Sequence, residues 1–246
     1  MKSVTCSQAG RVGKTIITSN VILPFSPANT PFFSIESQNT GAEQYGVELT
    51  KMRGRDTVEL LSAVIAADNA VVDVGASNFE PFFQGLAEFS AVSDFSPFIV
   101  PTVPGGKRES LETMKTVAQL RAFGVPANRI HIVFNMVELR DLDETLEMAT
   151  LRSFPEIFSI AKAEKSCVAN PKAALRKSNL FDHLGRTRKT LADAVMDETD
   201  YASAMKEAAS DPQEFARVKN AFAAMRMAKV LAADCKALYD LITEGV

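Results

Sequence analysis

The sequence predicts an α/β protein with a mainly parallel sheet covered by helices on both faces, followed by a mostly helical C-terminal region. Three observations predict it. Short apolar runs of strand length alternate with amphipathic segments of ten or more residues, the pattern that builds right-handed crossovers. The runs Ala70-Val-Val-Asp-Val-Gly75 and Ile130-His-Ile-Val-Phe134 are nearly continuous in apolar residues, as strands buried on both faces must be. A glycine-bearing loop, Ala9-Gly-Arg-Val-Gly-Lys-Thr15, lies between the first strand and the first helix.

Taken in order, Val4 to Cys6 reads as a buried strand and a helix starts at Gly13, carrying Ile16, Ile17, Val21 and Leu23 until Pro24 stops it. Phe32 to Ile35 is a second strand with Glu36 at its end. Gly41 to Gly54 is polar and aperiodic, a loop with short pieces of structure. Arg55 to Asp68 and Phe79 to Ala91 are helices, and Pro97 to Pro101 is a strand closed by the Pro104-Gly-Gly106 turn. Lys107 to Phe123 has the strongest helical pattern, ended by Gly124 and Pro126. After Ile130 to Phe134 the chain turns helical from about Leu142, with Ser166 to Ala169 expected as an edge strand before Asn170-Pro171. Pro212 opens a long helix whose apolar positions are Phe215, Val218, Phe222, Met225, Leu231, Cys235, Leu238 and Ile242. With no repeat and no convincing linker, the 246 residues read as a single domain, residues 1–246, with a helical extension from about 190.

Composition narrows the functional classes. The net charge of −3 gives no overall basic field for nucleic acid. Cys6, Cys167 and Cys235 are few, odd in number and far apart, against a disulfide framework or a zinc site; Cys6 reads as a small buried filler. Only His131 and His183 are available, which excludes a histidine-rich metal site. No run approaches the ~18 apolar residues of a membrane span, and the N-terminus enters a strand directly, so a soluble cytoplasmic protein is expected.

In a parallel sheet, ligands bind at the C-terminal strand ends, and these gather Gln8 to Thr15, Glu36 to Gln38, Asp73 to Gly75, Pro101 to Pro104 and Asn135 on one edge. Gly13 allows close approach to a phosphate, Lys14 can reach terminal phosphates, and Thr15 can offer a hydroxyl to Mg2+. Gln8 stands where the general phosphate-loop pattern has a glycine. Asp73 suits an acid near the metal, acting through water, or a helix cap. Glu36 suits an acid ordering a water, or a solvated turn residue. Asn135 suits a base-reading amide, or a turn-stabilising one.

The ordered set Ala9-Gly-Arg-Val-Gly-Lys-Thr15, Ile35-Glu-Ser-Gln38, Val71-Val-Asp-Val-Gly75, Val100-Pro-Thr102 and Val133-Phe-Asn135 resembles the ParA/MinD group of deviant P-loop ATPases, and within it the StbB-type plasmid stability proteins. The resemblance covers roughly residues 1 to 135. It implies a P-loop NTPase fold that binds ATP with Mg2+, forms an ATP-dependent homodimer, hydrolyses slowly as a positional switch, and works with a plasmid-encoded DNA-binding partner protein. Nucleotide would be held by Gly10, Arg11, Val12, Gly13, Lys14, Thr15 and Ile16, with Asn135 reading adenine and Pro171 beside it. Lys14, Glu36 and Asp73 would serve hydrolysis, and Thr15 and Asp73 the metal.

Departures from the group are specific. Its signature lysine is Ala9 here, its next glycine is Arg11, and its first strand-end acid is Ser34. Arg11, with a permanent charge and a forked donor set, is a candidate to take over the missing lysine's reach to the partner's phosphates. ATP binding without turnover, as in a nucleotide-gated adaptor, is the alternative; a dethiobiotin-synthetase-like ligase would need an acid-binding pocket for which no motif is present. From Lys162 to Lys189 the chain holds eight basic residues against Glu164 and Asp182, which reads as a solvated surface or as non-specific DNA contact with steep salt dependence. Asp234, Asp240 and Glu244 disfavour anchoring of the last helix on an anionic membrane.

Overall fold

A computed structural model describes residues 1–36, 41–53 and 56–244. Ser37 and Gln38 of the strand-end motif, Gly54 and Arg55 at the expected loop-to-helix boundary, and the last two residues of the expected helical extension lie outside them. Seven strands, β1 (Lys2–Cys6), β2 (Phe32–Ile35), β3 (Thr50–Met52), β4 (Ala70–Val74), β5 (Phe98–Thr102), β6 (Ile130–Val137) and β7 (Ala174–Arg176), form one sheet in the order β3-β2-β4-β1-β5-β6-β7. Every neighbouring pair is parallel. The helices are α1 (Lys14–Ile17), α2 (Thr57–Ala66), α3 (Phe79–Glu88), α4 (Lys107–Ala122), α5 (Leu146–Ser153), α6 (Pro155–Glu164), α7 (Leu180–Thr187), α8 (Leu191–Val195), α9 (Tyr201–Glu207) and α10 (Pro212–Thr243).

Strand side chains alternate between two buried layers, which is why the central strands are apolar at nearly every position. Val4, Cys6, Val72, Val74, Phe98, Val100, Ile132 and Phe134 face one layer, with Phe79, Phe82, Phe83, Leu120, Phe154 and Ile157 from α3, α4 and the α5–α6 region. Phe83 lies at the centre, its ring 4.7 to 5.9 Å from those of Phe79, Phe82, Phe98 and Phe123. Val71, Ile99, Val133 and Leu175 face the other layer, with Ile17, Val21, Leu180, Leu184, Leu231, Leu238 and Ile242.

Three expectations need correction. The edge strand is β7, not 166–169: Val168 makes only an isolated bridge to His131, whereas Ala173 and Leu175 bury themselves in the second layer. The segment 41–53, expected as a loop with short pieces of structure, does supply such pieces, among them β3, an exposed edge strand without an apolar signature. The first helix is four residues of α-helix that widen into a π-helical stretch, Thr18–Ile22, and close as a 3-10 turn, Leu23–Phe25. In α10 the buried stripe runs through Val218, Ala221, Ala224, Ala228, Leu231, Cys235, Leu238 and Ile242, while Phe215 and Phe222 are each 38% exposed; small alanines let α10 approach α7 and α8 closely.

Candidate functional site

The loop after β1 lies at the C-terminal edge of the sheet, beside the ends of β2 and β4. Cys6 and Ile35 are both in register with Val74, so the loop, Glu36 and Gly75 emerge at one level. The loop folds by two left-handed turns, Arg11 at φ 61° and Gly13 at φ 89°. A glycine takes this conformation freely, whereas an arginine there costs about 1 kcal/mol. The exposed Arg11 thus occupies a glycine-like position.

The charged residues converge. Lys14 donates to the Ala9 carbonyl at 2.9 Å, curling over its own loop. Burial pulls its pKa down, an effect that nearby Asp73 and, more weakly, Glu36 oppose. Thr15 donates its hydroxyl to Asp73 Oδ2 at 2.7 Å. Asp73 is 5% exposed, and its Oδ1 is buried with no hydrogen-bond partner among the described residues. Burial pushes this carboxyl up to about 6, against the stabilising Thr15 hydroxyl and Lys14 ammonium. Glu36 packs on Gly75: a Cβ there would fall 2.4 Å from Glu36 Oε2, so glycine leaves the carboxylate in this position. Ser34, at the position of the missing first acid, is buried within β2.

Asn135 lies inside β6 rather than after it. The register slips between Phe134 and Val137, with Met136 left-handed at φ 56°, and this bulge leaves Phe134 and Val137 on the same layer. The Asn135 amide, 2% exposed, donates from Nδ2 to the Val12 carbonyl at 3.1 Å and accepts from the Met136 N–H at 2.9 Å. It points at the loop rather than into open solvent. Thr116 of α4 supports the loop from the other layer, accepting from the Gln8 N–H at 3.3 Å. Thr116 was not among the sequence candidates; the Thr113, Thr116 stripe facing inward on α4 was a usable signal.

Pro171 does not join the site. It precedes β7, whose Ala174 is already level with Phe134, so Pro171 lies toward the N-terminal end of the strand. The residues at the C-terminal end of β7 are Lys177, Ser178 and Asn179, which line a cavity of about 680 Å³ with Arg226, Met227 and Val230 of α10. The strand-plus-cap pattern Ala173-Ala-Leu-Arg-Lys-Ser-Asn179 carried that signal. The neighbouring end of β6 opens a cavity of about 400 Å³ bordered by Pro104, Met136, Arg140, Arg152 and Lys177.

The basic stretch 162–189 is divided. Lys172, Arg176, Lys177 and Lys189 pair with Glu147, Asp234, Glu138 and Asp197. Of the remainder, Lys162 belongs to α6, which packs on the phenylalanine layer, and Arg186 to α7, which packs on the opposite one.

The geometry is that of a phosphate loop at the C-terminal edge of a doubly covered parallel sheet. No protein-family model and no curated protein matches the sequence. Among solved structures, apo McdA from Cyanothece superposes with a TM-score of 0.54 at 11% identity, over 90% of this chain and 98% of that one. The MinD cell division protein of Aquifex aeolicus gives 0.51 at 14% identity, over 92% and 97%. The septum site-determining protein MinD of Pyrococcus horikoshii OT3, complexed with Mg-ADP, gives 0.50 at 14% identity, over 93% and 97%. The chain has the P-loop NTPase fold of these proteins, with a helical C-terminal region.

Proposed function

We propose that this chain is a single-domain ParA/MinD-type ATPase that binds ATP with Mg2+ through Gly10, Arg11, Val12, Gly13, Lys14, Thr15 and Ile16 and uses it as a dimerisation switch. The observation that carries the reading is the Thr15 hydroxyl seated on a buried Asp73 whose second oxygen is unpartnered, with Lys14 beside both. A hydroxyl and a carboxylate are a hard oxygen donor set that suits Mg2+. The described residues hold no cluster of three or more metal-ligating side chains, which fits an ion that takes most of its ligands from phosphate and water. Bound there, Mg2+ would neutralise charge on the transferring phosphoryl group.

The chain's own residues divide the remaining work. Lys14 exchanges its contact with the Ala9 carbonyl for the terminal phosphates. Asp73 accepts from Thr15 and, through water, from the metal's shell. Glu36, fixed on Gly75, orients the attacking water; positioning, more than basicity, is what phosphoryl transfer needs. Arg11, exposed at the rim of the loop, reaches the phosphates of a second copy and replaces the absent lysine. The base would be received toward the ends of β6 and β7, where Lys177 to Asn179 stand.

Beyond the site, the reading is a StbB-like role in plasmid partition or stability, in the cytoplasm, with a DNA-binding partner protein. The divided basic stretch supports contact with DNA through that partner rather than along one face of this chain. No helix among the described residues is long and apolar enough to cross a membrane. Calorimetric titration with ATP and MgCl2, with turnover and sedimentation alongside, tests the proposal. Lys14→Ala removes a charge-assisted contact and should weaken binding by about 10- to 100-fold; Arg11→Ala should retain binding and lose turnover and ATP-dependent dimers. A parent chain that binds no ATP overturns the reading. Binding and dimerisation without turnover identify the nucleotide-gated adaptor instead.

A further inference from the structure

We infer that Asn135 is a positioning residue for the phosphate loop, and that its amide fixes the loop's shape rather than reading the nucleotide's base. The inference rests on the nucleotide site proposed above. The two amide contacts admit one orientation only, since Val12 offers a carbonyl and Met136 an N–H. Each end of the amide thus already has one partner on the protein, and the side chain is 2% exposed. It is also wedged against the loop: a Cβ on Gly13 would come within 2.1 Å of Asn135 Nδ2, so the left-handed turn at Gly13 and the amide of Asn135 fit each other.

Position matters as much as contact. Val12 and Gly13 immediately precede Lys14 and the first turn of α1, whose N–H groups would face the phosphates in the site proposed above. Holding the Val12 carbonyl inward, toward β6, turns the following N–H groups outward. Asn135 does this from β6 because strand alternation after Phe134 puts its side chain on the α1 layer, where the Met136 N–H fixes its amide. The clamp acts on the part of the loop that any phosphate chain would touch, whatever base it carries.

The test uses the full chain with ATP, GTP and inorganic tripolyphosphate, each with MgCl2. Asn135→Asp is isosteric but replaces the donor facing Val12 with an acceptor; Asn135→Ser keeps a polar group that cannot reach. Both should weaken all three ligands by the same factor, about tenfold or more, the loss expected when a buried carbonyl is deprived of its donor. The ratio of ATP to GTP affinity should stay as in the parent. If either folded variant alters that ratio while tripolyphosphate binding is unchanged, Asn135 reads the base and the inference fails. It fails equally if no affinity changes. Should neither variant fold, amide exchange in the parent decides: slow exchange at residues 13–15 without ligand supports a preformed clamp, and exchange as fast as in an open loop overturns it. A parent that binds none of the three ligands refutes the nucleotide site itself, a separate result.

Discussion

Replacing Asp73 with asparagine should make the ligand-free protein more stable while impairing its Mg2+-dependent nucleotide binding. Burial holds this carboxyl at about 6, where an ordinary aspartate is at 3.8. Ionising it in the folded state therefore costs about 3 kcal/mol relative to the unfolded chain, at 1.36 kcal/mol per pH unit. The sign follows from which state releases its proton first. Below pH 3.8 the carboxyl is neutral in both states and contributes no penalty. As pH rises toward 6 the unfolded chain ionises while the folded one resists, so the parent loses stability; above about 6 the penalty is complete. Asn135 and the rest of the site are untouched by Asp73→Asn, and the new amide still accepts from Thr15. Lys14 loses a neighbouring charge, which returns part of the gain, so an advantage of about 1 to 3 kcal/mol is expected at pH 7.5. Urea denaturation of both proteins from pH 3.5 to 7.5 measures it, as a difference in which the other carboxylates cancel. The advantage should vanish by pH 3.5. A variant no more stable than the parent at pH 7.5, or a difference that does not change with pH, refutes the reasoning.

Gly75→Ala places a Cβ 2.4 Å from the Glu36 carboxylate, which must swing away; ATP binding should persist while turnover falls, and unchanged turnover would detach Glu36 from the reaction. Arg11→Gly relieves a left-handed arginine and should raise stability by about 1 kcal/mol in thermal or urea unfolding, while losing turnover as Arg11→Ala does. Phe83→Ala removes a fully buried ring packed among four others and should cost about 3 to 5 kcal/mol in urea denaturation without changing which nucleotide binds.

How far these features were legible in the sequence depends on how strongly tertiary packing intervenes. β1, β4 and β5 stand out because a strand covered on both faces must be apolar throughout. β3 carries no such mark: at the sheet edge Thr50 and Lys51 face solvent, and only pairing with β2 makes them a strand. The segments 166–169 and 174–176 are both short and apolar, and the choice between them is made by what covers them. Leu175 finds the layer under α7 and α10, whereas Val168 finds one bridge. That choice decides which residues reach the functional edge: Lys177 to Asn179 follow β7, while Pro171 precedes it. In α10 both Phe222 and Ala224 fit a helical period; close approach to α7 and α8 selects alanine. At the site, residue types were readable and directions were not. Asp73 stands out as an acid inside an apolar strand, but nothing around Asn135 announces that its amide meets the Val12 carbonyl.

The loop is the place where these limits meet, since its own residues are poor at making the shape it adopts. Gln8, Ala9 and Arg11 supply none of the conformational freedom of glycine, and Arg11 takes a left-handed turn at a cost. What holds the shape comes from outside. Thr116 of α4 accepts from the Gln8 N–H, Asn135 of β6 donates to the Val12 carbonyl, and Asp73 of β4 accepts from the Thr15 hydroxyl. Two of the three act on backbone groups, so they constrain the path of the chain whatever side chains it carries. Net contributions of about 1 kcal/mol for each of the two neutral bonds outweigh the cost at Arg11. A loop clamped from two strands and a helix can thus depart from the glycine-rich pattern and still present Gly13, Lys14 and Thr15 in order. It can also carry an arginine at its rim, where a self-shaped loop would have needed glycine.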